Sequence, residues 1–481
     1  MQEELLALNG VNGATGRYFM PPMSPEQISR MARGERRDPS HLRELRWWYR
    51  RITEAFFGPK EGVDPLDLAQ AGWGIIFPRD ADEQVVHALR PLLDHRRAQA
   101  GRINERRYRE FTRGEGYRSD ESKPQFLARH GVGPGPADPD KVPYYLLIVG
   151  GPEAIPYAFQ YQLDVQYAVG RIAFERIEDY AAYAASVVAA ETGSATRPRR
   201  ITLFGTRSDR ATEFSASQLV APLAEHLSQS RPDWEVYRAI GETATKAHLA
   251  ALLGCDGEAP ALLFSATHGV VFPNGHPHQL RRQGALLCQE WLGPGAPAQA
   301  LNEAHYIWAD DVARDAQLAG LISCHFACFG AGTPQWDDYA HANARTRLQL
   351  APHAFLAALP QRLLSHPRGG ALAVIGHVDR AWGYSFAWPQ AGRQTDVFES
   401  CLTRLMDGQP IGYAFEYFNQ RYAELASDLS AALEDVKFGK RPDHMALAEM
   451  WTASNDARGF VILGDPAVHI ITKPAAVMND P

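Results

Sequence analysis

Ala261-Leu262-Leu263-Phe264-Ser265-Ala266-Thr267-His268-Gly269, set beside Leu321-Ile322-Ser323-Cys324-His325-Phe326-Ala327-Cys328-Phe329-Gly330, decides the fold. Each stretch is a short apolar run that breaks off into reactive polar residues. Runs of this length with no alternation are buried on both faces, as strands inside a parallel sheet covered by helices are. In such sheets ligands collect outside the carboxyl ends of the strands. Here those ends carry an imidazole followed by glycine, and a thiol. Sequential strands of this kind usually lie side by side, so His268 and Cys328 are expected to meet. An imidazole so placed can take the thiol proton and return it to a leaving amine.

The same rhythm extends outward. Strands are expected at 144–149, 201–204, 234–237, 261–265, 320–327, 371–375 and 460–463, with helices at 177–190, 215–227, 244–253, 354–365 and 397–406. Residues 270–304, rich in Gly, Pro and His, interrupt it and are expected to form a long loop. Residues 1–135 look like an accessory, regulatory layer, helical near 25–57 and 81–108 with one strand-like piece at 73–77. Within it Arg96, Arg97, Arg102, Arg106, Arg107, Arg109, Arg113 and Arg118 suggest a solvated helix running into a linker. The expected units are thus 1–135, 136–196 and 197–475.

The chain has 481 residues, more than one core usually holds, and its 45% hydrophobic and 22% charged content is that of a globular protein. A formal charge of -7 offers no long-range attraction to nucleic acid or an anionic membrane, so neither is an expected partner. Met1 to Gly10 carry Glu3 and Glu4 and no basic segment, and no apolar run approaches membrane length, so a cytoplasmic protein is expected. Cys255, Cys288, Cys324, Cys328 and Cys401 are an odd, scattered set that fits reduced thiols. Cys324, His325 and Cys328 share one strand and lack a fourth ligand, so no metal or other cofactor is expected.

Taken together, Ser265-Ala266-Thr267-His268-Gly269, His325-Phe326-Ala327-Cys328-Phe329-Gly330, Gly369-Gly370-Ala371-Leu372-Ala373-Val374-Ile375-Gly376 and Leu463-Gly464-Asp465-Pro466-Ala467 resemble, in order, the blocks of the caspase-like cysteine peptidases. The likeness is to the gingipain-type and CHAT-type bacterial enzymes. It implies an α/β fold with a mostly parallel sheet flanked by helices, a gingipain-like subdomain over 136–196 and a catalytic domain over 197–475. It also implies an endopeptidase with Cys328 as nucleophile, His268 as base and Gly269 in the oxyanion hole. Leu147 to Arg171 is similar to the gingipain segment whose aspartate binds the substrate guanidinium, which Asp164 matches, and Trp382 matches the tryptophan that covers its stem. Cleavage after Arg, with Lys second, follows from that likeness, and Asp379 is the alternative pocket acid. The likeness further suggests a role in bacterial antiviral defence or cell death, with an upstream protease cutting the Arg96–Arg118 strip to activate a zymogen. The alternative is a catalytically inactive caspase-like module that binds a protein partner.

Overall fold

A computed structural model describes residues 10–19, 23–33, 58–193, 196–254, 259–295, 300–337, 348–388 and 391–472. Strands are numbered along the chain. β1 (Gly10–Asn12) belongs to a small four-stranded sheet with β9 (Gly269–Val271), β10 (Leu286–Leu287) and β11 (Tyr306–Ile307). The central sheet contains β2 (Trp73–Ile76), β3 (Tyr108–Phe111), β4 (Tyr145–Val149), β5 (Ala168–Ile172), β6 (Arg200–Gly205), β7 (Glu235–Ile240), β8 (Leu262–Ala266), β12 (Ile322–Phe326), β15 (Ala373–His377) and β18 (Phe460–Gly464). Two short ribbons pair β13 (Gly332–Thr333) with β14 (Phe355–Leu356), and β16 (Ala387–Trp388) with β17 (Gly392–Arg393).

The order across the central sheet is β3-β2-β4-β5-β18-β15-β12-β8-β6-β7. Every described junction in it is parallel except the one between β15 and β18. That single reversal matters for function. The carboxyl ends of β15, β12, β8 and β6 and the amino ends of β18 and β5 come to one edge, because His377 is level with Phe460 and Ile462 with Gly170. Residues of β4, β5, β8, β12, β15 and β18 are buried throughout, as the unbroken apolar runs demanded.

The helices that frame the site are α1 (Pro25–Ala32), α2 (Arg90–Ala100), α3 (Tyr157–Asp164), α4 (Ile177–Glu191), α5 (Arg210–Ser215), α6 (Asp396–Met406), α7 (Glu416–Lys437) and α8 (His444–Gly459). α2 packs on α4, α7 packs on α8, and α1 lies against α8. α7 and α8 were not expected from the sequence. Beside Phe418, Leu425, Leu429 and Leu447 they bury many small or polar residues, such as Asn419, Ser430, Thr452 and Ser454, which blurs the apolar stripe.

Three sequence expectations change. Residues 73–111 do not stand apart: β2 pairs with β4, with Trp73 opposite Tyr145, and β3 forms the sheet's edge. The strand β3 escaped notice because Arg109 and Glu110 interrupt its apolar residues. Within the arginine strip Arg97, Arg102, Arg106, Arg113 and Arg118 are exposed as expected, but Arg96 is not. Arg96 is 1% exposed, with Nη2 2.6 Å from Glu191 and Nε 2.7 Å from Asp465. Asp465 also accepts from Trp73 Nε1 at 2.9 Å, so the Leu-Gly-Asp-Pro-Ala element locks the amino-terminal strands to the sheet centre. Residues 270–304 hold β9 and β10 rather than a bare loop. Cys255 and most of the helical pattern at 34–57 lie outside the described residues.

Candidate active site

Ala266 of β8 pairs directly with Phe326 of β12. Two residues further along each strand, at the same edge, stand His268 and Cys328. Neighbouring strands run roughly 4.8 Å apart, so the register sets His268 and Cys328 side by side along the chain ends. Contact is tightest at the next residue: a Cβ on Gly269 would fall 1.8 Å from the Cys328 carbonyl oxygen. Only glycine lets the backbone after His268 lie against the backbone of Cys328.

The chain turns sharply after the thiol. Phe329 has φ 58°, a left-handed conformation that costs a bulky residue about 1–3 kcal/mol. It is held there by its N–H, which donates to the Asp379 carbonyl at 2.8 Å, and by Gly330 N–H donating to Ala327 O at 3.1 Å. Just before the turn, Cys328 Sγ accepts from Ala381 N–H at 3.3 Å.

His268 is oriented from its far side. Its Nε2 lies 2.8 Å from Asp209 Oδ2, while Nδ1 has no hydrogen-bond partner. With Asp209 ionised, Nε2 carries the proton and Nδ1 keeps its lone pair, as a general base requires. Asp209 follows β6, the strand beyond β8, and caps α5: its Oδ1 accepts from Thr212 N–H at 2.8 Å and from Thr212 Oγ1 at 2.6 Å. Burial would raise the Asp209 carboxyl, yet the charge and hydrogen bond of His268, with the Thr212 bonds, hold it well below the usual carboxylate range. The sequence reading missed Asp209. The rule that found His268 and Cys328 would have found it, since it too follows a strand at this edge and begins an Asp-x-x-Thr capping pattern.

Cys328 is fully buried in this structure. Burial pushes its thiol up to about 12, with the Ala381 amide and the Arg380 charge pulling the other way. The sulfur is therefore protonated and closed to solvent at neutral pH.

The loop after β15 lies against the sulfur and is itself buttressed. Trp382 N–H donates to Asp456 Oδ1 at 2.8 Å, and Ser385 Oγ donates to Asp456 Oδ2. Arg380 reaches both oxygens of Asp337, at 2.8 and 2.7 Å. Trp382 packs among Tyr384, Leu425, Ala453 and Ala457. The structure thus brings His268, Gly269, Cys328, Asp379 and Trp382 together.

Asp164 ends α3 at the same edge of the sheet but sits in a cavity of its own, lined by Tyr144, Val165, Tyr167, Glu416 and Asn419. Neither Asp164 oxygen has a hydrogen-bond partner. Burial drives its carboxyl well above the ordinary value, with the Arg171 charge and the nearby Val169 amide opposing. Val165 packs against Tyr422, which also packs against the Trp382 cluster.

The chain is similar to the Arg-specific cysteine proteinase gingipain R, with a TM-score of 0.46 and 10% identity over 86% of this chain and 80% of that one. A complex of Porphyromonas gingivalis RgpB pro- and mature domains matches with a TM-score of 0.44 and 11% identity, over 83% and 79% of the two chains. The Saccharomyces cerevisiae separase–securin complex matches with a TM-score of 0.29 and 8% identity, over 67% of this chain and 16% of that one. No family model and no curated protein matches. The architecture is mixed α/β, a mostly parallel sheet flanked by helices. Among the described residues no helix is long and apolar enough to cross a membrane, and no group of three His, Cys, Asp or Glu is arranged to hold a metal.

Proposed function

We propose that the chain is a cysteine endopeptidase working through Cys328, His268 and Asp209, and that it cuts proteins after a basic residue. One observation carries this reading: three neighbouring strands deliver a thiol, an imidazole with an unpartnered Nδ1, and a carboxylate bonded to the opposite ring nitrogen. His268 Nδ1 takes the thiol proton as the sulfur attacks the scissile carbonyl carbon, and the carbonyl oxygen becomes an oxyanion. Backbone N–H groups at Gly269 and Cys328 stabilise that charge. Collapse breaks the C–N bond, with the proton on His268 passing to the departing amine. His268 then draws a proton from water, which releases the acyl group and restores the thiol.

Asp164 is the favoured anion for a substrate Arg, because its buried carboxylate lacks a partner that a guanidinium would supply, and the Trp382 face can cover the aliphatic stem. Asp379 is a second reading, favoured by its position: its charge acts directly on Cys328 and its carbonyl holds Phe329 in place. A panel of fluorogenic peptides differing before the scissile bond tests both. Turnover of Arg and Lys peptides, measured once the sulfur is accessible, that vanishes in Cys328→Ala supports the peptidase. Loss of the Arg over Leu preference in Asp164→Ala assigns the pocket to Asp164, and loss only in Asp379→Ala assigns it to Asp379. A folded chain that binds such peptides at this edge without turnover, even with the sulfur accessible, would instead make it a binding module.

A further inference from the structure

Residues 10–19 lie directly on the sulfur and its partners. β1 pairs in parallel with β9, with Gly10 opposite Gly269, Val11 opposite Val270 and Asn12 opposite Val271. Gly10 is so close that a Cβ there would stand 3.4 Å from Cys328 Sγ. The chain then turns back on itself: Asn12 N–H donates to Arg17 O at 2.7 Å, and Phe19 N–H to Gly10 O at 3.0 Å. The returning arm closes over the other two catalytic groups. Tyr18 Oη donates to Asp209 Oδ2 at 2.7 Å, and its ring meets His268 edge-on with centroids 6.0 Å apart. Phe19 packs edge-on against Phe329 at 6.2 Å and lies under the Arg380 guanidinium at 5.5 Å. Further along, Met23 packs against the Trp382 cluster and α1 docks on α8, where Ser29 Oγ lies 3.0 Å from His444 Nδ1.

We propose that Gly10–Phe19 is an autoinhibitory hairpin, held in cis on the edge of β9 where an extended substrate would otherwise pair, so that the intact chain is a shut peptidase. The inference rests on the peptidase reading and adds its regulation. Strand addition explains the grip, since main-chain pairing needs no particular side chains. Glycine at position 10 explains why the hairpin survives its own position, because it offers no side chain to a specificity pocket beside the sulfur. The hairpin lies against both Cys328 and His268, which are fully buried. Its anchor is steric as well. Gly13 N–H donates to Val271 O at 2.8 Å, and a Cβ at that position would fall 2.5 Å from the Phe272 ring. A larger residue at 13 must displace either the Phe272 ring or the hairpin, and Tyr18→Ala loosens the same hairpin without that ambiguity.

Two variants of the full chain, Gly13→Leu and Tyr18→Ala, test this with iodoacetamide labelling located by mass spectrometry. In the intact chain Cys328 should label as slowly as the buried Cys324 and Cys401. In either variant Cys328 should label at least tenfold faster with Cys324 and Cys401 unchanged, and adding the synthetic peptide Gly10–Phe19 should restore protection. Cys328 labelling no faster in both variants would overturn the proposal. So would a rise shared equally by all three cysteines in both, since the segment would then be structural. Labelling does not depend on turnover: variants with an accessible Cys328 that still hydrolyse no peptide would leave the hairpin standing and defeat the peptidase reading.

Discussion

Replacing Asp209 with asparagine isolates the part of the site that orients the base. The carboxylate accepts hydrogen bonds from His268, Tyr18 and Thr212. In Asp209→Asn the residue can present an amide N–H to Nε2, which moves the imidazole proton to Nδ1 and leaves the thiol facing a donor instead of a base. General-base catalysis contributes roughly 10²–10⁴ in rate, so kcat should fall within that span, while KM, set by contacts elsewhere, changes little. Hydrogen bonds to a charged group contribute about 1.5–3 kcal/mol each, so some loss of stability accompanies it. The comparison belongs in the Gly13→Leu background, where the Tyr18 bond to Asp209 is released, with kcat and KM measured on an Arg peptide. A kcat within threefold of the parent would refute the role given to Asp209.

Arg96→Met leaves Glu191 and Asp465 buried without their cation and should cost about 3–5 kcal/mol in urea unfolding; a cost under about 1 kcal/mol would mean the sheet is not clamped there. Asp209 and Glu191 are both held below the usual carboxylate range, each against the pull of burial, Glu191 chiefly by Arg96. Their stabilisation is therefore full above the unfolded carboxylate range near pH 4 and is lost as pH falls through the depressed folded values. Urea midpoints that do not drop between pH 6 and pH 3 would contradict that sign. Asp164 titrates the opposite way: its raised carboxyl contributes stability below the unfolded value that disappears as pH rises. Asp164→Asn should thus be more stable than the parent at pH 7, by about 1–3 kcal/mol, with the advantage gone at acid pH. In the Gly13→Leu background, Gly269→Ala, whose methyl would meet the Cys328 carbonyl, should lower kcat at least a hundredfold or prevent folding, and activity equal to that of Gly13→Leu would contradict the close packing of the two strand ends.

The strands that build the site were legible because burial on both faces leaves an unbroken apolar run, as in Leu262 to Ala266 and Ile322 to Phe326. Their register could not be read, but it needed no special signal: adjacent parallel strands of equal length bring the residues just past their carboxyl ends together. β2 and β3 were hard to assign to the sheet because the bonds that tie them in are long-range. Arg96 reads as one more surface arginine until Asp465, far along the chain, is brought beside it. The same holds for Asp209, an ordinary helix cap in sequence and the partner of His268 in space. The hairpin at 10–19 was illegible for a different reason. Its hold on β9 is made by backbone groups, which leave no mark on composition beyond a few glycines.

The most direct test is covalent capture of the sulfur by a peptidyl chloromethyl ketone ending in arginine, applied to the Gly13→Leu chain and read by mass spectrometry. The catalytic assignment predicts one adduct, on Cys328, that is lost when His268 is replaced by alanine. An adduct on another cysteine, or none on a Cys328 that iodoacetamide reaches freely, would contradict it.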